Sequence, residues 1–590
     1  MPSIGVQILP LNESNSRLPL GHIRNRKRKQ KSNQMKSLIL YRVNGQAEQL
    51  VDWSQVNWVT TYKLLRNLQR RIFRARKLGQ WKQLRRLQKL LIRSYANLLE
   101  SVRRITQDNK GQGTPGVDKE VINTPEERVK LVNTWVMPKA KPTRRVFIPK
   151  SNGKKRPLGI PTVKDRVAQN IVKNYLEPEW EAVFEPNSYG FRAGRSCHDA
   201  IEQIFNRFRD NHSGRNKWVL DADIRGCFDN LAHKIILQKI GSVPGIDLIT
   251  GWMKAGYVYE GIYNPTDTGT PQGGCISPLL SNIGLHGLEE LVRNHNKKMG
   301  VIRYADDFVV TAKNRKEIEE IIPRIEHWLL ERGLQLSEEK TKVIHIDEGF
   351  DFLGFNARCY KGKLLTKPQK AKVLAFCKKV GNIIKSMKTV KQEVLINKLN
   401  PILRGFANYY RTVVSKETFQ YISHRVWSYL WNWCKRRHLK RRLKWVKKKY
   451  FHVINGRDWT FCCMTKGRKG KEKTLYLYNI AKTPIVRHTK VKGTSSPFDA
   501  ELDNYWEKRN TKKGKTYWAK GSKYDQIAKN QDYKCPICGQ FLINGEYIET
   551  HHIVPVKDGG SDDTENLVHL HTACHKQVHS KTKFKAGGMA

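Results

Sequence analysis

The hydrophobic and polar positions of residues 301–310 predict a strand pair with acids at its turn. Residues 301–303 and 308–310 are mostly apolar and β-branched, and Asp306 and Asp307 lie between these two runs. An acidic turn between apolar runs is typical of a hairpin whose tip presents carboxylates. An ordinary surface turn with two aspartates is the alternative.

A second predicted strand also ends in acids. Residues 218–229 start as an apolar strand and reach Asp221 and Asp223 before Gly226. Because side chains alternate along a strand, both carboxylates project from one face. Residues 145–161 read as a strand, a cation-rich turn around Gly153 and another strand, for which a solvated loop is the alternative.

Apolar residues recur at helical spacing in two basic segments. Between residues 60 and 106 they predict two amphipathic helices, through Leu64, Leu65, Leu68, Ile72, Phe73, Leu84, Leu87, Leu90, Leu91, Tyr95 and Leu98. The same spacing predicts that residues 361–450 are mostly helical, through Leu395, Leu399, Leu403, Phe406 and Tyr410.

The second helical segment is strongly cationic. Residues 361–450 contain 25 Lys or Arg residues against Glu393 and Glu417, interleaved with tyrosines and tryptophans. Such a module can line a nucleic-acid duplex, and exposed rings can stack on unpaired RNA bases. The rings could also form the core of the module, and both interpretations can hold together.

The composition of the whole chain indicates a polyanionic partner. Its 590 residues include 109 Lys or Arg and 53 Asp or Glu, a formal charge of +56. This length predicts about four domains of ~150 residues. Without a secretory signal or an apolar run of ~18 residues, we expect neither export nor membrane insertion. Eleven cysteines are too few for a disulfide scaffold.

The acids of the two predicted strands suit magnesium. Uncompensated carboxylates in a buried place are costly, and hard oxygen ligands suit Mg²⁺ held together with substrate phosphates. Asp223 with Asp306 and Asp307 could hold two ions, one activating an attacking 3′ hydroxyl and one stabilising the leaving pyrophosphate. This is the requirement for nucleotidyl transfer.

Ordered sequence blocks from about residue 139 to residue 355 resemble reverse transcriptases. They are residues 145–161, 188–196, 218–229, 270–280, 301–310, 333–341 and 352–355. The resemblance implies polymerase fingers and palm, with Mg²⁺ held by Asp223, Ile224, Asp306 and Asp307. It implies that glycines of residues 188–196 let the backbone approach primer or template closely.

The same resemblance implies nucleotide contacts. Lys150 and Arg156 would bind the triphosphate, and Gln272 would lie near the nucleotide and the template base. Phe228 stands where reverse transcriptases carry an aromatic ring beneath the sugar, so it would act as a steric gate against ribonucleotides. A core position for Phe228 is the alternative.

Cysteine and histidine pairs near the C-terminus have the spacing of a zinc site. Cys535 and Cys538 form one pair, and His571 and Cys574 form a second about thirty residues on. Soft thiolates in two such pairs favour a closed tetrahedral structural Zn²⁺ site over scattered thiols.

Residues 549–579 resemble the HNH nucleases, which have a ββα-metal fold. The resemblance implies that His552 is the general base that activates water and that Asn566 holds the loop between the strands. His551, His575 and His579 are candidate ligands of a catalytic divalent cation. Because His571, His575 and His579 share one helical face, the choice among them stays open. Many relatives carry Cys at the position of His571, so the fourth zinc ligand also stays open.

Residues 403–410 resemble the maturase region of group II intron-encoded proteins, and this sharpens the family resemblance. The implied fold is a multidomain α+β protein. Its implied parts are a flexible basic N-terminal arm (1–59), N-terminal extension helices (60–138), reverse transcriptase fingers and palm (139–360), an α-helical thumb or maturase domain (361–450), a basic DNA-binding region (451–520) and a zinc-containing HNH endonuclease module (521–590). A basic linker is the alternative for residues 451–520.

This resemblance implies a protein that binds its intron RNA in a ribonucleoprotein particle and assists splicing. The particle would insert the RNA into one strand of double-stranded target DNA, cut the other strand with the HNH module, and copy the RNA from dNTPs. A bacterial cytoplasm or an organelle is the expected location. Two alternatives are a reverse transcriptase of another retroelement and an RNA-folding cofactor without catalysis. The intact Asp223, Asp306 and Asp307 argue against the second.

Overall fold

The computed structural model describes residues 49–149, 153, 155–209, 217–454, 456–466 and 472–586. Lys150 and the first 48 residues of the expected N-terminal arm lie outside these ranges. Within them, no helix has both the length and the apolar composition needed to cross a bilayer.

Three helices, rather than the two expected, open the N-terminal region. They are α1 (Trp58–Lys77), α2 (Trp81–Ile92) and α3 (Tyr95–Arg103), followed by a π-helical turn (Arg104–Asp108) and α4 (Pro125–Asn133). Gly79 separates α1 from α2 with a φ of +66°, a conformation that suits a residue without a side chain. A turn at Arg93 and Ser94 separates α2 from α3. The apolar spacing continues across these short breaks, so it conceals them.

The ordered N-terminal region begins before residue 60. Trp53, in a short 3₁₀ turn (Trp53–Gln55), and Trp58 are 4% and 2% exposed. Asn57 caps α1 by accepting a hydrogen bond from the Thr60 backbone N–H at 3.0 Å. Burial of two large rings fixes this stretch in place, so a flexible arm reaching residue 59 is wrong.

Two four-stranded sheets form the centre of the molecule. One has the order β6-β7-β3-β8 and the other the order β2-β1-β4-β5, and we label them the palm sheet and the fingers sheet after the parts that the sequence resemblance implies. The strands are β1 (Thr143–Pro149), β2 (Lys155–Ile160), β3 (Trp218–Asp223), β4 (Tyr257–Tyr259), β5 (Ile262–Asn264), β6 (Gly300–Tyr304), β7 (Asp307–Ala312) and β8 (Lys342–His345). Both expected hairpins form, since β1 pairs with β2 and β6 pairs with β7, each antiparallel.

Eight helices surround these two sheets. They are α5 (Val163–Glu181), α6 (Cys197–Phe208), α7 (Cys227–Asn230), α8 (His233–Ile240), α9 (Ile246–Lys254), α10 (Ser277–Gly284), α11 (Leu288–His295) and α12 (Arg315–Leu330). Because helices cover it, β7 is buried on both faces, and Phe308, Val309 and Val310 are all 0% exposed.

A helical module with two small sheets follows the palm. One sheet contains β9 (Phe350–Phe352), β10 (Phe355–Tyr360) and β11 (Lys363–Pro368), and the other contains β12 (Phe451–Ile454), β13 (Arg457–Lys466) and β14 (Glu472–Tyr476). The helices between them are α13 (Lys370–Ser386), α14 (Gln392–Tyr410), α15 (Lys416–Arg437) and α16 (Leu443–Tyr450). The helical spacing of residues 395–410 is thus realised in α14.

The C-terminal segment folds back onto the N-terminal helices. It contains α17 (Asp503–Tyr517), α18 (Lys523–Asn530), β15 (Ile548–His552), β16 (Leu567–His571) and α19 (Thr572–Ala586), and β15 pairs antiparallel with β16. One continuous buried cluster includes Trp58 of α1, helices of the palm, and Cys535, Cys538 and Cys574. The two ends of the described chain therefore share a hydrophobic core.

Candidate active sites and metal centres

The palm sheet brings the predicted acids together at one end of its two central strands, β3 and β7. Asp223, the last residue of β3, is the register partner of Asp307, the first residue of β7. Asp306 lies in the turn between β6 and β7, where Ala305 has a φ of +60°. All three carboxylates are half-buried. The structure thus places the predicted Mg²⁺ ligands on neighbouring strands, as the alternating pattern indicates.

A buried arginine holds the acidic turn. Arg303 is 2% exposed and donates to the backbone oxygen of Ala305 at 3.1 Å and to Asn282 Oδ1 at 2.9 Å. Gly190 lies against the same turn, because a Cβ at this position would come within 2.3 Å of the Ala305 nitrogen. We expected the glycines of residues 188–196 to face primer or template; Gly190 instead packs on the hairpin.

The electrostatics of the acidic site indicate a shortage of cations. Burial, a hydrogen bond that protonated Asp307 donates to Asp223, and the charges of Asp306 and Asp223 raise the pKa of Asp307 to about 7. Burial also raises the pKa of Asp306. Lys340 Nζ lies 2.7 Å from Asp223 Oδ2, and this bond raises the pKa of the lysine. A divalent cation beside these carboxylates would stabilise their ionised forms.

Arg156 faces the acids across a large cavity. This cavity of about 1540 Å³ is lined by Arg156 of β2 and by Asp223 and Lys340 of the palm. The positive charge of Arg156 lowers the pKa of Asp306, against the effect of burial. The fingers hairpin therefore presents a cation to the space beside the carboxylates. Lys150, the second predicted phosphate contact, lies outside the described residues.

Gln272 lies where the fingers meet the palm. Its backbone oxygen accepts a hydrogen bond from the Gly159 N–H of β2 at 2.7 Å, and its side-chain Nε2 lies 3.5 Å from Asp229 Oδ2. Gly273 has a φ of +123°, and a Cβ there would come within 2.6 Å of the Gly159 oxygen. This glycine lets the loop touch the fingers strand, and it orients Gln272 near the start of α7.

Phe228 and Ile224 lie on either side of the turn after β3. Phe228, on α7, is half-buried rather than part of the core, and its ring meets the ring of Phe191 edge-on at 6.3 Å. Phe191 is 53% exposed and has a φ of +59°, which is unusual for an aromatic residue. Ile224 is buried, and its N–H donates to the Asp306 oxygen at 3.4 Å. Its backbone thus lies beside the acidic turn.

The basic helical module contains a cleft walled by cations and rings. The cleft, of about 540 Å³, lies between α13 and α15, and Lys385, Lys388 and Arg436 are exposed along it. Arg437 makes intramolecular contacts instead. Its guanidinium stacks over the Trp433 ring at 4.4 Å and donates to the Lys388 and Val390 oxygens. Trp433 is buried, so some of the rings form the core, as the alternative interpretation held.

The predicted zinc ligands form one buried cluster. The sulfur atoms of Cys535, Cys538 and Cys574 and a ring nitrogen of His571 all lie within 4.8 Å of one another. Hydrogen bonds from Cys538 and Cys574 lower the pKa of Cys535, so a thiolate is favoured there. His571 Nδ1 lies 3.4 Å from Cys538 Sγ, which places His571 as the fourth member. Three soft sulfurs and an imidazole are a donor set that suits tetrahedral Zn²⁺.

A second cluster consists of histidines. Single ring nitrogens of His551, His575 and His579 all lie within 4.8 Å of one another, and His575 Nε2 is 3.1 Å from His579 Nε2. Burial and the neighbouring imidazoles lower the pKa of His551, so it stays neutral as a metal ligand must. Glu549 Oε2 lies 2.5 Å from His575 Nδ1 and orients that ring, a role that the spacing of the motif did not reveal.

The cysteine–histidine cluster and the histidine cluster are the two groups, among the described residues, in which three or more potential ligand atoms lie within 4.8 Å of one another. As a set, the three palm carboxylates are farther apart. His571 belongs to the first cluster, and His551, His575 and His579 belong to the second. The geometry thereby sorts the histidines whose assignment the helical spacing left open.

His552 lies beside the histidine cluster with a partner of its own. Its Nε2 is 2.7 Å from Asp562 Oδ1, a residue that sequence reasoning missed. Asn566 accepts a bond from the Val554 N–H at 2.8 Å and donates to the oxygens of Val554 and Ser561. The asparagine therefore ties the two ends of the loop between β15 and β16. The site roles proposed from the sequence stay predictions.

Four family profiles match the chain. They are the N-terminal domain of reverse transcriptase (residues 53–135), reverse transcriptase or RNA-dependent DNA polymerase (148–357), the group II intron maturase-specific domain (373–451) and HNH endonuclease (535–581). Their order along the chain is the order that the sequence blocks predicted.

Three similar proteins extend this finding. Protein YkfC of Escherichia coli is 34% identical over 316 residues, which are 46% of this chain and 82% of that protein. The group II intron-encoded protein LtrA of Lactococcus lactis is 31% identical over 365 residues, 49% of this chain and 60% of LtrA. A 91 kDa protein in the cob intron of Schizosaccharomyces pombe is 27% identical over 362 residues, 47% of this chain and 44% of that protein. The chain thus spans less than two thirds of the last two.

Proposed function

We propose that this chain copies RNA into DNA, assists intron splicing and cuts DNA, because it belongs to the family of group II intron-encoded proteins. In this proposal the three activities serve one process. An intron RNA inserted into one strand of a DNA target is copied from the 3′ end that the nuclease makes in the other strand. The proposed location is the cytoplasm of a bacterium or an organelle.

The polymerase activity rests on one observation above all. Asp223 and Asp307 are register partners on adjacent strands, with Asp306 in the adjoining turn and Arg156 across one cavity. Two Mg²⁺ ions held by these carboxylates, with the Ile224 backbone beside them, would activate a primer 3′ hydroxyl and stabilise the leaving pyrophosphate. Arg156 and Lys150 are the proposed phosphate contacts, and Gln272 the proposed neighbour of the nucleotide.

The proposed nuclease activity belongs to the ββα module. His551, His575 and His579 would hold a divalent cation that stabilises the leaving oxyanion of a cleaved phosphodiester. His552 would take a proton from the attacking water, and its contact with Asp562 supports this role because a carboxylate on one ring nitrogen orients the imidazole and leaves the other nitrogen to accept the proton. Zn²⁺ at Cys535, Cys538, His571 and Cys574 would have a structural part alone.

The proposed partners are intron RNA, double-stranded target DNA and dNTPs. The charge of +56 and the cationic cleft between α13 and α15 support binding of a polyanion. Residues 361–450 are proposed as thumb and maturase domain, and residues 451–520 as a DNA-binding region. A second candidate function is not favoured by any feature of the described residues.

Primer extension tests the proposal. With an RNA template and a DNA primer, Asp306→Ala/Asp307→Ala should abolish DNA synthesis, since the carboxylates that hold the metal ions are removed. RNA binding should persist because phosphate contacts lie elsewhere. The adjacent surface acids of α12 provide a matched control, and Glu319→Ala/Glu320→Ala should extend the primer normally. Full-length cDNA from the palm double mutant would refute the assignment.

A further inference from the structure

Arg103, the last residue of α3, reaches from the N-terminal helices into the cysteine cluster of the C-terminal module. Its Nη2 donates to Cys574 Sγ at 3.1 Å, although the two residues are 471 positions apart in sequence. Arg103 is 1% exposed and Cys574 is 0% exposed. The contact is therefore fully shielded from water.

The hydrogen-bond donors of the Arg103 guanidinium are only partly used by its surroundings. The guanidinium lies over the Trp58 ring at 4.6 Å, and its Nε and Nη1 have no hydrogen-bond partner. Asp108 and Glu546 are its nearest carboxylates, at 3.5 Å and 3.9 Å, which is longer than a good charged hydrogen bond. Arginine cannot lose its proton in a protein, so this buried guanidinium keeps all its donors and gains from a strong acceptor at Cys574.

Zinc binding would make the sulfur of Cys574 such an acceptor. Three thiolates and a neutral imidazole around Zn²⁺ leave one net negative charge, and the sulfur of Cys574 would carry part of it at the contact with Arg103. Partners that lie behind metal ligands orient those ligands and tune the affinity of the site for its metal.

The interface around this contact is built by both ends of the chain. Gln577 of α19 donates to the backbone oxygens of Ser54 and Val56 at 2.8 Å and 3.2 Å. Lys110 lies over the Tyr547 ring at 5.2 Å. A cavity of about 750 Å³ at the same interface is lined by His575 and His579 on one side and by residues of the N-terminal region on the other. Docking thus forms one wall of the cavity beside His575 and His579.

We propose that Arg103 is a positioning residue that completes the zinc site from the N-terminal helices, so that zinc binding and docking of the nuclease module onto the polymerase are coupled. The inference rests on the proposed zinc site. By linkage, each event favours the other: zinc strengthens docking, and the docked arginine slows zinc release. The orientation of the nuclease relative to the palm then depends on the metal.

Zinc release from the full-length protein tests the coupling. Arg103→Met keeps the length of the side chain but removes its charge, and zinc should pass to an excess of a chromogenic chelator about 10-fold faster. Arg332→Met is the matched control, because Arg332 is also a buried arginine that lies over a tryptophan ring, Trp328 at 3.6 Å, but it donates to the Gly284 and Trp328 oxygens rather than to a cysteine. Release from this control should match the wild type.

Two further measurements complete the test. Gln577→Ala leaves the zinc ligands and α3 intact but weakens docking, so it should also speed release, which keeps the test valid if Arg103→Met fails to fold. Removing zinc should increase hydrogen exchange in residues 104–108 of the wild type and change it little in Arg103→Met. Equal release rates for Arg103→Met and Arg332→Met would overturn the coupling. A wild-type protein that purifies without zinc would overturn the zinc assignment itself.

Discussion

The charge state of the palm carboxylates should make magnesium binding depend on pH. Because the pKa of Asp307 is raised to about 7, this carboxyl group holds a proton at lower pH that Mg²⁺ must displace. The affinity of the site for Mg²⁺ should therefore increase as the pH rises through about 7 and then level off. Calorimetric titration with Mg²⁺, in the presence of primer and template without dNTPs, measures this midpoint.

Lys340 sets the position of that midpoint. Its positive charge lowers the pKa of Asp307, so Lys340→Met should move the midpoint to higher pH. Lys342→Met is a suitable control, because Lys342 lies opposite Asp221 in the register of β3 and β8, two residues before Asp223. A midpoint that stays in place or moves to lower pH in Lys340→Met would show that the lysine does not act on these carboxylates.

Phe228 should control the choice of sugar. Its ring is half-buried beside the exposed Phe191, a position that suits contact with a bound nucleotide better than core packing. Phe228→Ala should raise ribonucleotide incorporation by an order of magnitude or more, since removal of the ring makes room for a 2′ hydroxyl. Single-nucleotide incorporation with dNTP and rNTP measures the ratio, and Tyr263→Ala on the fingers serves as a control. Unchanged discrimination in a folded variant would assign the ring to packing.

The residues that sequence reasoning found and missed differ in one physical respect. Asp306, Asp307, Cys535 and Cys538 were predictable because the chemistry lies in short spacings along the chain. Lys340, Glu549 and Asp562 were missed as partners, because each acts through a contact that only the folded chain creates. No local pattern distinguishes these three from other surface charges.

At the scale of elements, the cleft between α13 and α15 should bind nucleic acid. Charge reversal at Lys385, Lys388 and Arg436 should weaken RNA binding and lower the slope of log affinity against log salt by about 0.7–0.9 for each phosphate that the variant no longer binds. These three cations are exposed, whereas Arg437 is committed to internal bonds and is left unchanged. Reversal of Lys297, Lys298 and Arg324, on and beside the palm, is the control. An unchanged slope would mean that the cleft faces solvent.

Strands were predicted more reliably than helix boundaries, for a physical reason. The two hairpins of the palm and fingers follow from alternation and turn residues within about ten positions. The N-terminal helices share one apolar stripe, so the breaks at Gly79 and Ser94 leave little trace in the pattern. The sequence places Trp53 in a flexible arm, because no local pattern shows that Trp58 and the distant Gln107 bury this ring.

At the scale of the whole molecule, the return of the C-terminal segment to α1 could not be predicted. Arg70 pairs with Asp503, Lys77 Nζ lies 3.2 Å from Asp499, and Arg66 donates to Gln540. These contacts join residues more than 400 positions apart, and each uses side-chain types that are common on any surface. The sequence alone predicts that removal of the metal unfolds the zinc-containing module and leaves the other domains folded. The shared core of Trp58, Cys535 and Cys574 changes that expectation.

In the full-length protein, the proposed zinc site should be needed for folding of the module, and the histidine site for cleavage alone. Cys535→Ala removes a ligand whose metal supplies folding free energy, so it should loosen β15, β16 and also α1 and α3, which share the same core. His552→Ala should leave hydrogen exchange and zinc content unchanged and still abolish DNA strand cleavage, because only water activation is removed. Hydrogen exchange, zinc content, strand cleavage and primer extension on both variants distinguish these outcomes. Faster exchange confined to residues 535–580 in Cys535→Ala would show that the ends of the chain fold independently, and cleavage by His552→Ala would show that another group activates the water.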